Sequence, residues 1–190
     1  MELNMNCTHC GPHACQDLME CKSVLFDRNE ALNKYQEADA QNTVQAAAEL
    51  VDGGRAGTLN RLEEILEFSA SQGYNHLGLA YCYGMLSDAR LISDHIRKAG
   101  FKVSAVSCTT GGLAQDQVNN ASSIHKVSCN PLGQAMQLNA EKTQLNLAVG
   151  LCLGHDMILQ NQLEAPVTTL VVKDRTSEHN PIQAIRNMPR

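Results

Sequence analysis

The chain has 190 residues, 43% hydrophobic and 18% charged, which fits one compact globular domain with its own core and room for a small appendage, so that disorder is not the default. Fifteen Lys and Arg stand against 20 Asp and Glu, a formal charge of -5 with no basic stripe, so the usual electrostatic drive toward nucleic acid or an anionic membrane is missing. Aromatic residues make up 4% and Trp is absent, leaving few platforms for stacking bases.

The outlier is cysteine, with eight copies. No stretch approaches the ~20 apolar residues of a membrane span. Residues 1–15 carry neither a basic n-region nor an apolar h-region, so the expected location is the cytoplasm. In a reducing compartment, clustered cysteines point to metal or redox chemistry before disulfides.

In chain order, residues 1–21 form a cysteine-rich segment, Cys7-x2-Cys10-x4-Cys15-x5-Cys21, with His9 and His13 inside it. So short a segment has no core, and metal binding would supply its ordering energy; disulfides are the alternative. The spacing matches neither the paired C-x2-C zinc ribbon nor the ferredoxin run, so it selects no metal. Residues 22–190 read as a single α/β domain, opening with helices over 22–73: residues 22–33, residues 38–51 ended by Asp52-Gly53-Gly54, and a third capped by Asn60 with Glu63 three residues on, stopped by Gly73.

From residue 74 short apolar runs alternate with helical segments, the pattern of a parallel sheet with crossover helices. Strands are predicted over 76–81, 102–107, 145–151 and 166–172, with helices over 85–99, 131–139, 157–162 and 181–186. The expected fold is a small doubly wound, mostly parallel four-stranded sheet with helical N-terminal additions. The polar stretch 109–128 reads as a loop. No glycine-rich phosphate fingerprint is present, so nucleotide binding has no support.

Aligned by their last apolar residues, three predicted strands run into cysteine: Tyr81 into Cys82, Ser107 into Cys108 and Leu151 into Cys152. Ligands of open parallel sheets bind beyond the carboxyl ends of the strands, which makes this edge the functional one. Cys129 precedes Asn130-Pro131, a helix-start signature, and a helix N-terminus favours the thiolate that a metal or a nucleophilic mechanism requires. A single cysteine after a strand is most simply a core residue; three matched strand ends and a helix start together favour a metal site at Cys82, Cys108, Cys129 and Cys152. Thiolates select zinc, copper(I) or iron with sulfide. Ligands dispersed over separate loops suit an iron-sulfur cluster, here [4Fe-4S], better than a closed zinc site built from local pairs.

His155, in Gly154-His155-Asp156 after Cys152, is a candidate proton donor or ligand, and its alternative is a solvated loop histidine. Lys173-Asp174-Arg175 and His179-Asn180-Pro181 follow the last strand. The cations are suited to neutralise a cluster or a substrate carboxylate, and Asp174 is a candidate catalytic residue beside His155.

The motifs Cys7-Thr8-His9-Cys10, His13-Ala14-Cys15, Ala80-Tyr81-Cys82, Cys129-Asn130-Pro131, the run Gly150-Leu151-Cys152-Leu153-Gly154-His155-Asp156, Lys173-Asp174-Arg175 and His179-Asn180-Pro181 resemble, over nearly the whole chain, an uncharacterised bacterial and archaeal family. That family is a domain of unknown function numbered eighteen forty-seven, labelled as predicted metal-binding protein. The resemblance implies metal at the cysteines and names no reaction.

The expectation is therefore a cytoplasmic iron-sulfur protein with one centre at the sheet edge and a second at Cys7, Cys10, Cys15 and Cys21. Its role is electron transfer to a redox partner, or Lewis-acid chemistry at an open iron on a small anionic or sulfur-containing substrate. The alternative is a zinc-binding structural or interaction module without catalysis. A third reading, a thiol enzyme with Cys129 as nucleophile and His155 as base, requires activity without metal. The sequence fixes no oligomeric state.

Overall fold

The computed structural model describes residues 7–19, 21 and 24–189, which divide into two compact units, Met1–Gln45 and Ala46–Arg190. In the first unit, single-turn helices cover Cys7–His9 and Ala14–Asp17, and helix α1 spans Arg28–Tyr35. The expected start of this helix at Lys22 lies outside the described residues. Asp27 begins it instead, its carboxylate accepting from the Asn29 N–H at 2.7 Å, which satisfies one of the donors every helix start leaves open. Helix α2 covers Ala38–Glu49.

The second unit contains α3 (Arg61–Ser71), β1 (His76–Tyr81), α4 (Leu86–Lys98), β2 (Lys102–Ser107), α5 (Gln115–Val118), α6 (Pro131–Ala140), β3 (Leu145–Val149), α7 (His155–Gln162), β4 (Val167–Val171) and α8 (Pro181–Arg186). Asn60 and Glu63 form the expected capping box on α3: Asn60 Oδ1 accepts from the N–H groups of Leu62 and Glu63, and Glu63 accepts from the Asn60 N–H. The four strands are all parallel in the order β2-β1-β3-β4. The first crossover runs outward from β1, the later ones outward on the other side. Right-handed connections then set α4 on one face and α6 and α7 on the other, the doubly wound arrangement with its switch point between β1 and β3.

The central strands β1 and β3 are buried on both faces, with Leu77, Leu79, Leu147 and Val149 at 0% exposure, whereas β2 and β4 are edges and half-exposed. Sealing each such side chain contributes roughly 1.5–3 kcal/mol. One polar pair is built into this core. Gly78 faces Asn146 in the register, and a Cβ at Gly78 would collide with the Asn146 carboxamide, so glycine here makes room for a buried amide.

Two expectations are corrected at the strand ends. β3 stops at Val149 rather than Leu151 because Gly150 turns the chain at φ 58°, and Met85 fills the space a Cβ would occupy there. The register pairs Tyr81 with Ser107 and with Val149. Cys82 and Cys108 are therefore level with Gly150, and Cys152 lies two residues farther out. The stretch 109–128 is also not a plain loop: it holds a turn at Thr110–Gly112, helix α5 and an antiparallel bridge between Ala114 and Val127.

Candidate metal centre

The chain emerges from β1 into a tight turn, Tyr83–Met85, and this turn is the floor of the site. Cys82 is 5% exposed and Cys108 2%. The Tyr83 N–H donates to Cys108 Sγ at 3.3 Å, and the Gly84 N–H donates to Cys82. Successive backbone N–H groups aimed at sulfur form a concavity that favours anionic sulfur.

Cys129 is stitched to the same place by backbone and side chain. The Asn130 N–H donates to the Cys108 carbonyl at 2.6 Å, and Asn130 Nδ2 donates to the Thr110 carbonyl at 3.1 Å. Asn130 Oδ1 caps α6 through the Gly133 N–H, with Pro131 in the first helical position. The Cys129 thiol then donates to Cys108 Sγ at 3.5 Å, and the Cys82 and Cys108 thiols also lie within hydrogen-bonding reach. Gln134, fully buried in α6, donates through Nε2 to the Val106 carbonyl at 2.8 Å and the Tyr81 carbonyl at 3.2 Å. It anchors the helix that follows Cys129 to the ends of both strands that lead into Cys82 and Cys108. Nothing in the sequence singled out Gln134, since a polar residue on a helix reads as surface until its burial is known.

Cys152, half-buried, takes a hydrogen bond from Arg175 Nη2 at 3.3 Å. A cavity of about 580 Å³ is bordered by Cys82, Cys129, Cys152, His155, Lys173 and Arg175 among others, but not by Cys108. Burial opposes ionisation of Cys82, yet the Lys173 ammonium and the Gly84 N–H hold its thiol below the ordinary value. Burial pushes Cys108 up to about 12, and the neighbouring Cys129 and Cys82 add to the rise against the Tyr83 N–H. Packed thiols compete for one negative charge, and a bound cation is what allows all of them to ionise together.

The loop after β4 is hydrogen-bonded to itself. Asp174 accepts from the Thr176 hydroxyl at 2.7 Å and from the N–H groups of Thr176 and Ser177, and those bonds keep its carboxyl below the usual range. That carboxylate is engaged by its own loop and does not border the cavity. Its flanking residues Lys173 and Arg175 do, as does His179, whose Nδ1 accepts from the Asp174 N–H at 3.1 Å.

The N-terminal cysteines come together less. All eight cysteines of the chain are free thiols, so the disulfide alternative finds no bridge. Cys15 and Cys21 border a cavity of about 450 Å³ with Met19, Phe26, Leu32 and Tyr35, and Cys7 and Cys10 are not among its lining. Among the described residues, no group of three or more His, Cys, Asp or Glu side chains forms a site ready for a single metal ion. A cavity of about 290 Å³ between α3 and the starts of β3 and β4, lined by Ile65, Phe68, Leu145 and Pro166, contains no thiol or imidazole. Among the described residues no helix is long and apolar enough to cross a membrane.

Comparisons with known proteins match most of the chain. Uncharacterized protein MJ0455 of Methanocaldococcus jannaschii is 34% identical over 185 residues, covering 95% of this chain and 93% of that protein. No solved structure matches the chain. Residues 20–170, from the last N-terminal cysteine through nearly all of β4, match the family described as "Protein of unknown function (DUF1847)", and the chain belongs to that family.

Proposed function

We propose that the sheet edge binds an iron-sulfur cluster through Cys82, Cys108 and Cys129, with Cys152 as the fourth thiol, and that the protein is a metal-dependent redox or Lewis-acid protein. The observation that carries this reading is the convergence of three cysteines from separate loops, Cys82, Cys129 and Cys152, around one cavity of about 580 Å³, with Cys108 hydrogen-bonded to Cys129 and to the Tyr83 N–H beside them. That volume far exceeds the ~30 Å³ share of one water, whereas a single ion needs no void. A polynuclear core takes its thiolates at separate corners, so donors from separate loops around a cavity fit it better than donors gathered at one point. When bound, such a cluster supplies electron transfer, or Lewis acidity at an iron that no cysteine holds. The chain's own contribution is the backbone donors of Tyr83 and Gly84 to sulfur, the charge of Lys173 and Arg175, and His155 at the cavity wall as a proton carrier. Cys7, Cys10, Cys15 and Cys21 are assigned to a second centre on the density of thiols in so short a segment.

A second reading is favoured by one distance. With Zn–S near 2.3 Å, two thiolates on a tetrahedral zinc lie about 3.8 Å apart, close to the 3.5 Å between Cys108 and Cys129. This is the zinc-binding structural or interaction module. Single substitutions C82S, C108S and C129S in protein purified without oxygen separate the two readings. The cluster predicts a broad visible absorption in the parent protein that each substitution removes or strongly diminishes. A colourless parent protein whose bound zinc falls in the same three variants supports the zinc module instead.

A further inference from the structure

The cavity wall formed by His155 and the loop after β4 reverses the charge of the rest of the molecule. The chain as a whole carries 20 acidic against 15 basic side chains. Yet Lys173, Arg175, His155 and His179 all border the cavity, and no carboxylate does. We propose that this wall is a recognition site for a small acid, a molecule bearing a carboxylate or phosphate group, held with its oxyanion beside the cysteines. The inference deepens the reading above and rests on it in taking the cavity as the place of reaction.

Three features of the loop after β4 support a site built for an anion. The Asp174 carboxylate, between the two cations, is taken up by Thr176 and Ser177, so no carboxylate of the loop is bonded to Arg175 or to Lys173, whose ammonium meets the Cys82 thiol at the cavity. Arg175 uses Nη2 on Cys152, which leaves most of the five donors of its planar fork for an oxyanion, the group that fork matches in two parallel bonds. His179 accepts at Nδ1 from the Asp174 N–H, so the neutral ring carries its proton on Nε2 and offers a further donor. The chain also holds Glu178 and His179 at φ 49° and 64° to shape this loop. Left-handed residues other than glycine are strained and gather at active sites and ligand clamps.

The test uses the full chain purified without oxygen, with iron and sulfide measured in every sample. Malonate, inorganic phosphate and neutral malonamide are titrated by calorimetry at low salt. The proposal expects saturable binding of malonate or phosphate, none of malonamide, and affinity reduced about tenfold or more by R175Q and by K173Q, as loss of a charge-assisted hydrogen bond implies. K98Q, at the far end of α4, leaves affinity unchanged. Binding of malonate alone identifies a carboxylic acid, and binding of phosphate alone a phosphoryl compound. R175K keeps the charge but not the fork, so reduced affinity with metal content intact supports the proposal even where R175Q loses metal. Absence of anion binding in iron-loaded protein, or equal affinity in parent, R175Q and K173Q, overturns it and leaves the cluster reading standing. Binding that depends on Arg175 in protein without iron leaves the anion site standing and removes the cluster.

Discussion

His76 opens β1 at the end of the sheet away from the cysteines, and it shows how a single buried imidazole ties stability to pH. Burial and the nearby Lys102 lower its pKa below 6.5, with Glu141 opposing, and Nε2 pairs with Ser104 Oγ at 2.9 Å. The folded state therefore binds this proton less readily than the unfolded chain. Its contribution to stability is full above the ordinary value of 6.5 and is lost as the pH falls from there through the lowered folded value. Urea unfolding across that window is expected to show stability falling with acidity, and H76Q is expected to flatten that part of the profile. Gly150 makes a second residue-scale claim. Its left-handed backbone and the Met85 side chain packed against it predict that G150A destabilises the fold by about 2 kcal/mol or more, from strain and overpacking together. An unchanged melting temperature would contradict that packing.

At the scale of elements, the strands and helices of the α/β unit were largely legible because their signals are local. β1 and β2 follow from alternating and apolar runs between glycine and polar breaks, and α3, α6 and α8 from asparagine caps with proline or glutamate behind them. The edge that carries Cys82, Cys108 and Cys129 follows in turn from parallel topology. What was hidden is tertiary. The two-residue offset of Cys152 depends on Gly150 turning over Met85, a contact 65 residues away in the chain. Gln134 and the sulfur-directed N–H groups of Tyr83 and Gly84 leave no pattern, because backbone donors and buried amides become visible only when loops are in place. Gln134 also gives a test. Q134A removes the donor that joins α6 to the Val106 and Tyr81 carbonyls, and about 1–3 kcal/mol of stability is expected to go with it. Faster alkylation of Cys129 in the metal-free variant is the accompanying sign that the helix has loosened from the strand ends.

For the whole molecule, the pattern of thiols is more informative than the fold. Doubly wound sheets serve many chemistries, and the site rather than the architecture carries function. Here the second unit brings four cysteines and four cationic or imidazole side chains to the carboxyl edge of its sheet, while the first unit contains four further thiols in fifteen residues. The central claim, an iron-sulfur cluster at that edge, is tested most directly by counting iron and acid-labile sulfide per chain on protein purified without oxygen. The account predicts iron and sulfide in equal amounts, both reduced when Cys82 or Cys129 is replaced by serine. Zinc without sulfide, or iron and sulfide unaffected by those replacements, would contradict it.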